Sequence, residues 1–108
     1  MTATPTATGT RTVFCFELLG AYPNPFTTGT RIIYRICKDS VVDAVIYTVS
    51  GEVVRRINRQ EAAGSNMIYW DGKNNAGNNT ASGVFIYSVE AVSGNDRRKL
   101  WGKVAELK

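Results

Sequence analysis

Gly64–Val92, reading GSNMIYWDGKNNAGNNTASGVFIYSVEAV, decides the fold class, because in it two strand patterns flank a loop with its own turn chemistry. In Ser65–Trp70, Ile68 and Trp70 share one face and Met67 and Tyr69 the other, the period of two that marks a half-buried strand. Asp71-Gly72 then opens a run of Asn and Gly, residues that tolerate positive φ and bond their own backbone, and Ser82-Gly83 closes it. After the loop, Phe85, Tyr87 and Val89 alternate with Ile86, Ser88 and Glu90, which sends the aromatic set to a core and the polar set to water. The stretch therefore reads as a long-looped hairpin in an all-β protein, with Trp70 buried between two sheets beside Phe85 and Tyr87.

Outward from this stretch the alternation continues. Thr12–Leu19 sets Phe14, Phe16 and Leu18 against Cys15 and Glu17 as a first strand. Tyr22-Pro23-Asn24-Pro25-Phe26 ends it as a rigid corner, since two prolines fix φ and hold the residues before them extended, leaving Tyr22 and Phe26 to fold back on the core. Arg31–Ile36 places Ile32, Tyr34 and Ile36 on one face and Arg31, Ile33 and Arg35 on the other. Val41–Val49 turns Val42, Ala44 and Ile46 inward and Asp43 outward. Glu52–Ile57 is a shorter strand whose adjacent Arg55 and Arg56 mark a charged edge, and Arg59–Ala63 is read as one helical turn. With a last strand in Lys99–Leu107 the count is about seven short antiparallel strands, the spacing of a β-sandwich.

The 108 residues suffice for one domain. Residues 1–10, MTATPTATGT, carry nothing that can be buried and read as a Thr/Pro linker, which leaves 11–108 as the folded unit and implies a passenger upstream in a longer precursor. No apolar run approaches the roughly 20 residues of a membrane helix, and no basic-then-apolar leader opens the chain. The net charge of +4 is spread over several segments.

Chemistry finds little footing. The chain has no His, which removes Ser/His and Cys/His nucleophile pairs and the commonest zinc ligand, and no paired carboxylates or phosphate-cradling glycine loop stand out. The expectation is no enzyme, no cofactor and no metal. Asp71, Asn75 and Gly77 are spaced somewhat like a calcium loop, but Lys73 stands where a ligand oxygen is needed and no Glu closes the loop, so Asp71 is read as accepting backbone N–H bonds in a turn. Cys15 and Cys37 both fall out of phase with their core sets and are a candidate disulfide on an outer face; two small buried-type thiols are the alternative. Arg55, Arg56, Arg59, Arg97, Arg98 and Lys99, with Trp101 nearby, raise nucleic-acid binding, but they lie on an edge strand and a hairpin loop without a recognised motif and are read as solvated.

The ordered series YPNPF, TRIIYRI, KDSVVDAVIYTVSGEVVR, then Trp70-Asp71-Gly72, Ser82-Gly83-Val84 with Tyr87, and finally GKVAELK resembles the C-terminal immunoglobulin-like modules related to the flagellar hook-capping protein (FlgD-like), over about residues 16–108. These modules include the C-terminal sorting domains of bacterial type IX secretion. The resemblance implies an immunoglobulin-like β-sandwich in which Tyr22, Pro23, Asn24, Pro25, Phe26, Trp70, Asp71, Gly72, Gly83 and Tyr87 are structural. It also implies a non-catalytic C-terminal module of a secreted or cell-surface bacterial protein, a sorting or anchoring signal. Its partners would be secretion or anchoring proteins that recognise Lys103, Val104, Leu107 and Lys108. The alternative is a structural or adhesive accessory module, as in hook-cap assembly or a carbohydrate-active enzyme's appendage. The chain departs from the pattern at Cys37, where proline is usual, at Thr48, where Asp is common, and at Glu106, where an apolar residue is expected.

Overall fold

Alternation in Ser40–Thr48 (β3) sinks Val42, Ala44 and Ile46 completely, and the architecture grows around this central strand. A computed structural model describes residues 14–108; the Thr/Pro stretch at 1–10 lies outside the described residues. The other strands are β1 (Phe16–Tyr22), β2 (Thr30–Ile36), β4 (Val53–Glu61), β5 (Gly64–Trp70), β6 (Gly83–Ser93) and β7 (Asp96–Glu106). They form a three-stranded sheet in the order β1-β2-β5 and a four-stranded sheet in the order β4-β3-β6-β7, every ladder antiparallel. This is the immunoglobulin-like sandwich that the residues led us to expect.

Between the sheets, Trp70 is 1% exposed and takes the edges of Phe26 and Phe85, with centroids 5.4 and 5.2 Å away. Such T-shaped contacts suit the ring quadrupoles. Tyr87 is buried too, and its ring covers Gly102 on the neighbouring strand, where any Cβ would collide with it. Tyr34, also without exposure, donates its hydroxyl to Glu61 Oε2 at 3.0 Å, tying β2 to the end of β4. Burial first, and then this bond to a carboxylate, push the phenol's pKa up.

Several expectations give way. The Gly64–Val92 stretch is no hairpin: β5 pairs with β2 and β6 with β3, and the loop between them carries the chain across the sandwich from one sheet to the other. Alternation sets which side of a strand is apolar and leaves its neighbour open, so both arrangements bury the same residues. Arg59–Glu61 continues β4 instead of turning as a helix, because each residue finds a partner on β3 from Val42 back to Ser40. Arg97, Arg98 and Lys99 belong to β7, not to a loop, since Gly94-Asn95 alone makes the turn, with Gly94 at φ 59. In β1 the register shifts between Leu18 and Gly20, so Ala21 takes the inward place that a strict alternation from Leu18 denies it. Of the corner's two aromatics only Phe26 folds back; Tyr22 is exposed, its ring resting over Gly20 and its hydroxyl donating to the Leu19 carbonyl. Ser88, expected in water, is 1% exposed between Val45 and Trp101, and its hydroxyl has no partner among the described residues.

Candidate recognition site at the end of the last strand

The last strand is built into the sandwich from both sides. Its register with β6 puts Val104 opposite Phe85 and Glu106 opposite Gly83. Val104 is 1% exposed and belongs to the core, so of the four residues expected to be recognised it is the one no partner reaches in the folded protein. Lys103 on the other face is exposed, and Leu107 is 56% exposed.

The free edge of β7 is occupied by the proline corner. Asn24 donates from Nδ2 to the Lys103 carbonyl at 3.2 Å and accepts the Ala105 N–H at Oδ1 at 3.0 Å, so one side-chain amide replaces a strand's peptide group. Two residues on, the Phe26 N–H donates to Ala105 O and the Leu107 N–H to Phe26 O, at 2.9 and 2.8 Å. Cis peptides at Tyr22-Pro23 and Asn24-Pro25 shape the corner, and Thr30 Oγ1 donates to the Pro23 carbonyl at 2.8 Å. The corner is thus a clip whose effect is to protect an edge strand from pairing with other chains.

Glu106 explains its own departure from the apolar pattern. It is 2% exposed, yet its carboxylate accepts the Thr80 hydroxyl at 2.6 Å and lies 3.2 Å from Lys108 Nζ. Lys108 Nζ also donates to Thr80 O, its backbone N–H donates to Ser82 Oγ, and Thr80 Oγ1 is within 2.8 Å of Gly72 O. A buried charge persists only when paired and hydrogen-bonded, and here the two partners are Thr80 from the β5–β6 loop and Lys108, each held in turn by that loop. Gly72, at φ 79, is required on two counts: a Cβ there would sit 3.0 Å from Glu106 Oε2 and 3.2 Å from the Phe26 ring. Sequence reasoning singled out Glu106 as an anomaly but could not see its partners. Thr80, Ser82 and the clip function of Asn24 were missed altogether.

Asp71 Oδ1 accepts the Lys73 N–H at 3.0 Å and faces Arg55 Nη1 at 3.2 Å, a turn and an ion pair occupying the oxygen a cation would need. Gly83, at φ 154, starts β6. Cys15 and Cys37, both exposed, continue the Phe16–Ile36 pairing by one step and are joined by a disulfide, with Cα atoms 5.4 Å apart. Arg56 faces Asp43 at 3.6 Å and Arg97 faces Glu90 at 3.8 Å, while Lys99 lies 5.6 Å over the Trp101 ring. The basic residues are therefore dispersed along two opposite edges of one sheet instead of gathered into a track. Among the described residues no cluster of His, Cys, Asp and Glu could hold a metal, and no helix is long and apolar enough to cross a membrane.

The FlgD Ig-like domain family model matches residues 37–96. Among solved structures, dimeric latent PorU from Porphyromonas gingivalis superposes on 96% of this chain with a TM-score of 0.78 at 16% identity. FlgD from P. aeruginosa covers 71% with a TM-score of 0.62 at 28% identity. The chain spans 10% of the PorU chain and 60% of the FlgD chain, and at its low identity the PorU likeness speaks for the fold alone. The search of curated proteins finds no match.

Proposed function

The chain belongs to the FlgD Ig-like domain family, and from that premise we propose that it is a non-catalytic C-terminal module of a secreted or cell-surface bacterial protein. Its role is that of a sorting or anchoring signal read by secretion or surface-anchoring proteins, with a passenger upstream in the same precursor. The observation that carries the reading is the clipped end of β7: the last strand is held by Asn24, Phe26 and Glu106, and beyond Gly102 it presents Lys103, Leu107 and part of Lys108 outward. Rigid presentation reduces the ordering cost of binding, which suits a signal that must be read on many passengers. The Cys15–Cys37 bridge adds support, since disulfides persist in oxidising compartments.

Fusion of residues 11–108 behind an unrelated exported reporter tests it, in a bacterium carrying type IX secretion. Delivery of the reporter to the surface, reduced by Lys103→Ala and Leu107→Ala, is the expected result; a reporter that stays periplasmic ends the sorting reading. Truncation from Gly102 is a poor probe, because it removes Val104 and Glu106 from the interior. Lys108→Ala likewise strips the buried carboxylate of its cation. The second reading, a structural or adhesive accessory module, is favoured by the 28% identity to FlgD and is what a periplasmic reporter with an intact fold would leave.

A further inference from the structure

The sandwich has one open flank. β1 lies against β7, so the three strands β1, β2 and β5 cover β7, β6 and β3, and among the described residues no strand stands across from β4. The consequence is visible along the ladder between β3 and β4. Val42 and Ala44 are fully buried, while Arg59 and Ile57, their partners on the same face of the sheet, are exposed and half-buried. Beside this uncovered face runs the outer edge of β5, to which no backbone bond is made among the described residues.

That edge lacks the usual defences. Gly64–Trp70 contains no charge and no proline, pairs with β2 through seven residues without a bulge, and exposes Met67 and Tyr69. Long, regular, uncharged edges are templates for an added strand. Both ends of the flank are closed, by the Ala62-Ala63 connection at one and by the Arg55–Asp71 pair at the other, which leaves a notch about 20 Å long at strand rise. Electrostatics then narrows the occupant. Of the four arginines here, Arg55 and Arg56 are matched by Asp71 and Asp43, whereas Arg59 inside the notch and Arg31 on the outer face beside Tyr69 are in no ion pair among the described residues.

We infer that the β5 edge and the uncovered inner face of β4 form a docking notch for an extended segment of a partner protein, which adds as a fourth strand to the smaller sheet. Main-chain bonds to β5 hold it. Its inward side chains are an apolar residue over Ile57 and a carboxylate against Arg59. This inference stands apart from the sorting reading, since it concerns the flank opposite the β7 edge.

The probe is the peptide Glu-Thr-Val-Thr-Val-Thr-Glu, joined to Lys108 through a Gly/Ser linker of about thirty residues, which reaches about 30 Å and supplies millimolar effective concentration. Its control carries Lys in place of both Glu. Amide exchange and amide shifts are read by NMR on the full chain. Slowed exchange confined to β5, with shifts at Ile57, is expected for the acidic peptide and at least tenfold weaker protection for the basic one. Arg59→Glu, at an exposed position, should reverse that preference, and Arg59→Gln should abolish it. Unchanged β5 amides overturn the inference, as do shifts centred on Tyr47 and Trp101. Protection without peptide that grows with protein concentration gives the notch to a second copy, and protection lost on deleting residues 1–10 gives it to the chain's own start; either result also overturns it.

Discussion

The two edges of the larger sheet and the β5 edge of the smaller one meet the same problem in different ways. On β7, Asn24 engages Lys103 O and Ala105 N–H. On β4, Asn75 repeats the device, its backbone N–H donating to Val54 O at 2.9 Å and its Oδ1 accepting the Arg56 N–H at 3.1 Å. Each edge strand is stopped by one asparagine carried on a loop from the other sheet, which ties the two sheets at that point and blocks further pairing there. Along β5 no such residue arrives among the described residues. The contrast shows that edge protection here is a tertiary device delivered by loops, not a property of the strands, because β4 and β7 carry the charges and are clipped as well.

Trp70→Ala should break the contrast most severely. It removes the ring that locks β5 under Phe26 and Phe85, so guarded and unguarded sheets part, at a cost of about 3–5 kcal/mol in urea melts. A parent-like melt would mean that the aromatic contacts do not hold the sheets together.

Tyr34→Phe acts where the open flank is tied, and should cost about 1–2 kcal/mol at neutral pH. Its pH dependence gives a sharper readout. The folded phenol's pKa is raised above the ordinary 10.0, so the unfolded chain loses that proton first; the contribution of Tyr34 to stability should be level below pH 10 and fall as pH rises past it. The variant should fall less steeply, though not level, since burial raises Tyr87 too. Equal slopes for variant and parent would discard the Tyr34–Glu61 tie.

Asn24→Ala unguards β7 and should cost about 1 kcal/mol, with faster exchange at the Ala105 amide. Smallest of all, Met67→Lys guards β5 at an exposed position and should change stability by less than about 0.5 kcal/mol while lowering any tendency to associate. Equal exchange at Ala105 in parent and Asn24→Ala would remove the clip from the comparison.

What the sequence by itself determined is what a strand's own period dictates: the inward faces of β2, β3, β5 and β6, the burial of Trp70, Phe85 and Tyr87, and the charged edge at β4. Side chains alternate within one strand whatever lies beside it, so these features needed no partner to be legible. The family motifs were legible for the same reason, as local spacings. Tertiary structure alone decided that β5 leaves β6 for β2, that Asn24 and Asn75 act as clips, and that Glu106 is buried. It also decided that, among the described residues, β4 is left without a strand opposite. Each of these rests on groups far apart in the chain, from 19 residues between Arg56 and Asn75 to 81 between Asn24 and Ala105. Their meeting is set by how the two sheets stack, and alternation within a strand carries no record of that.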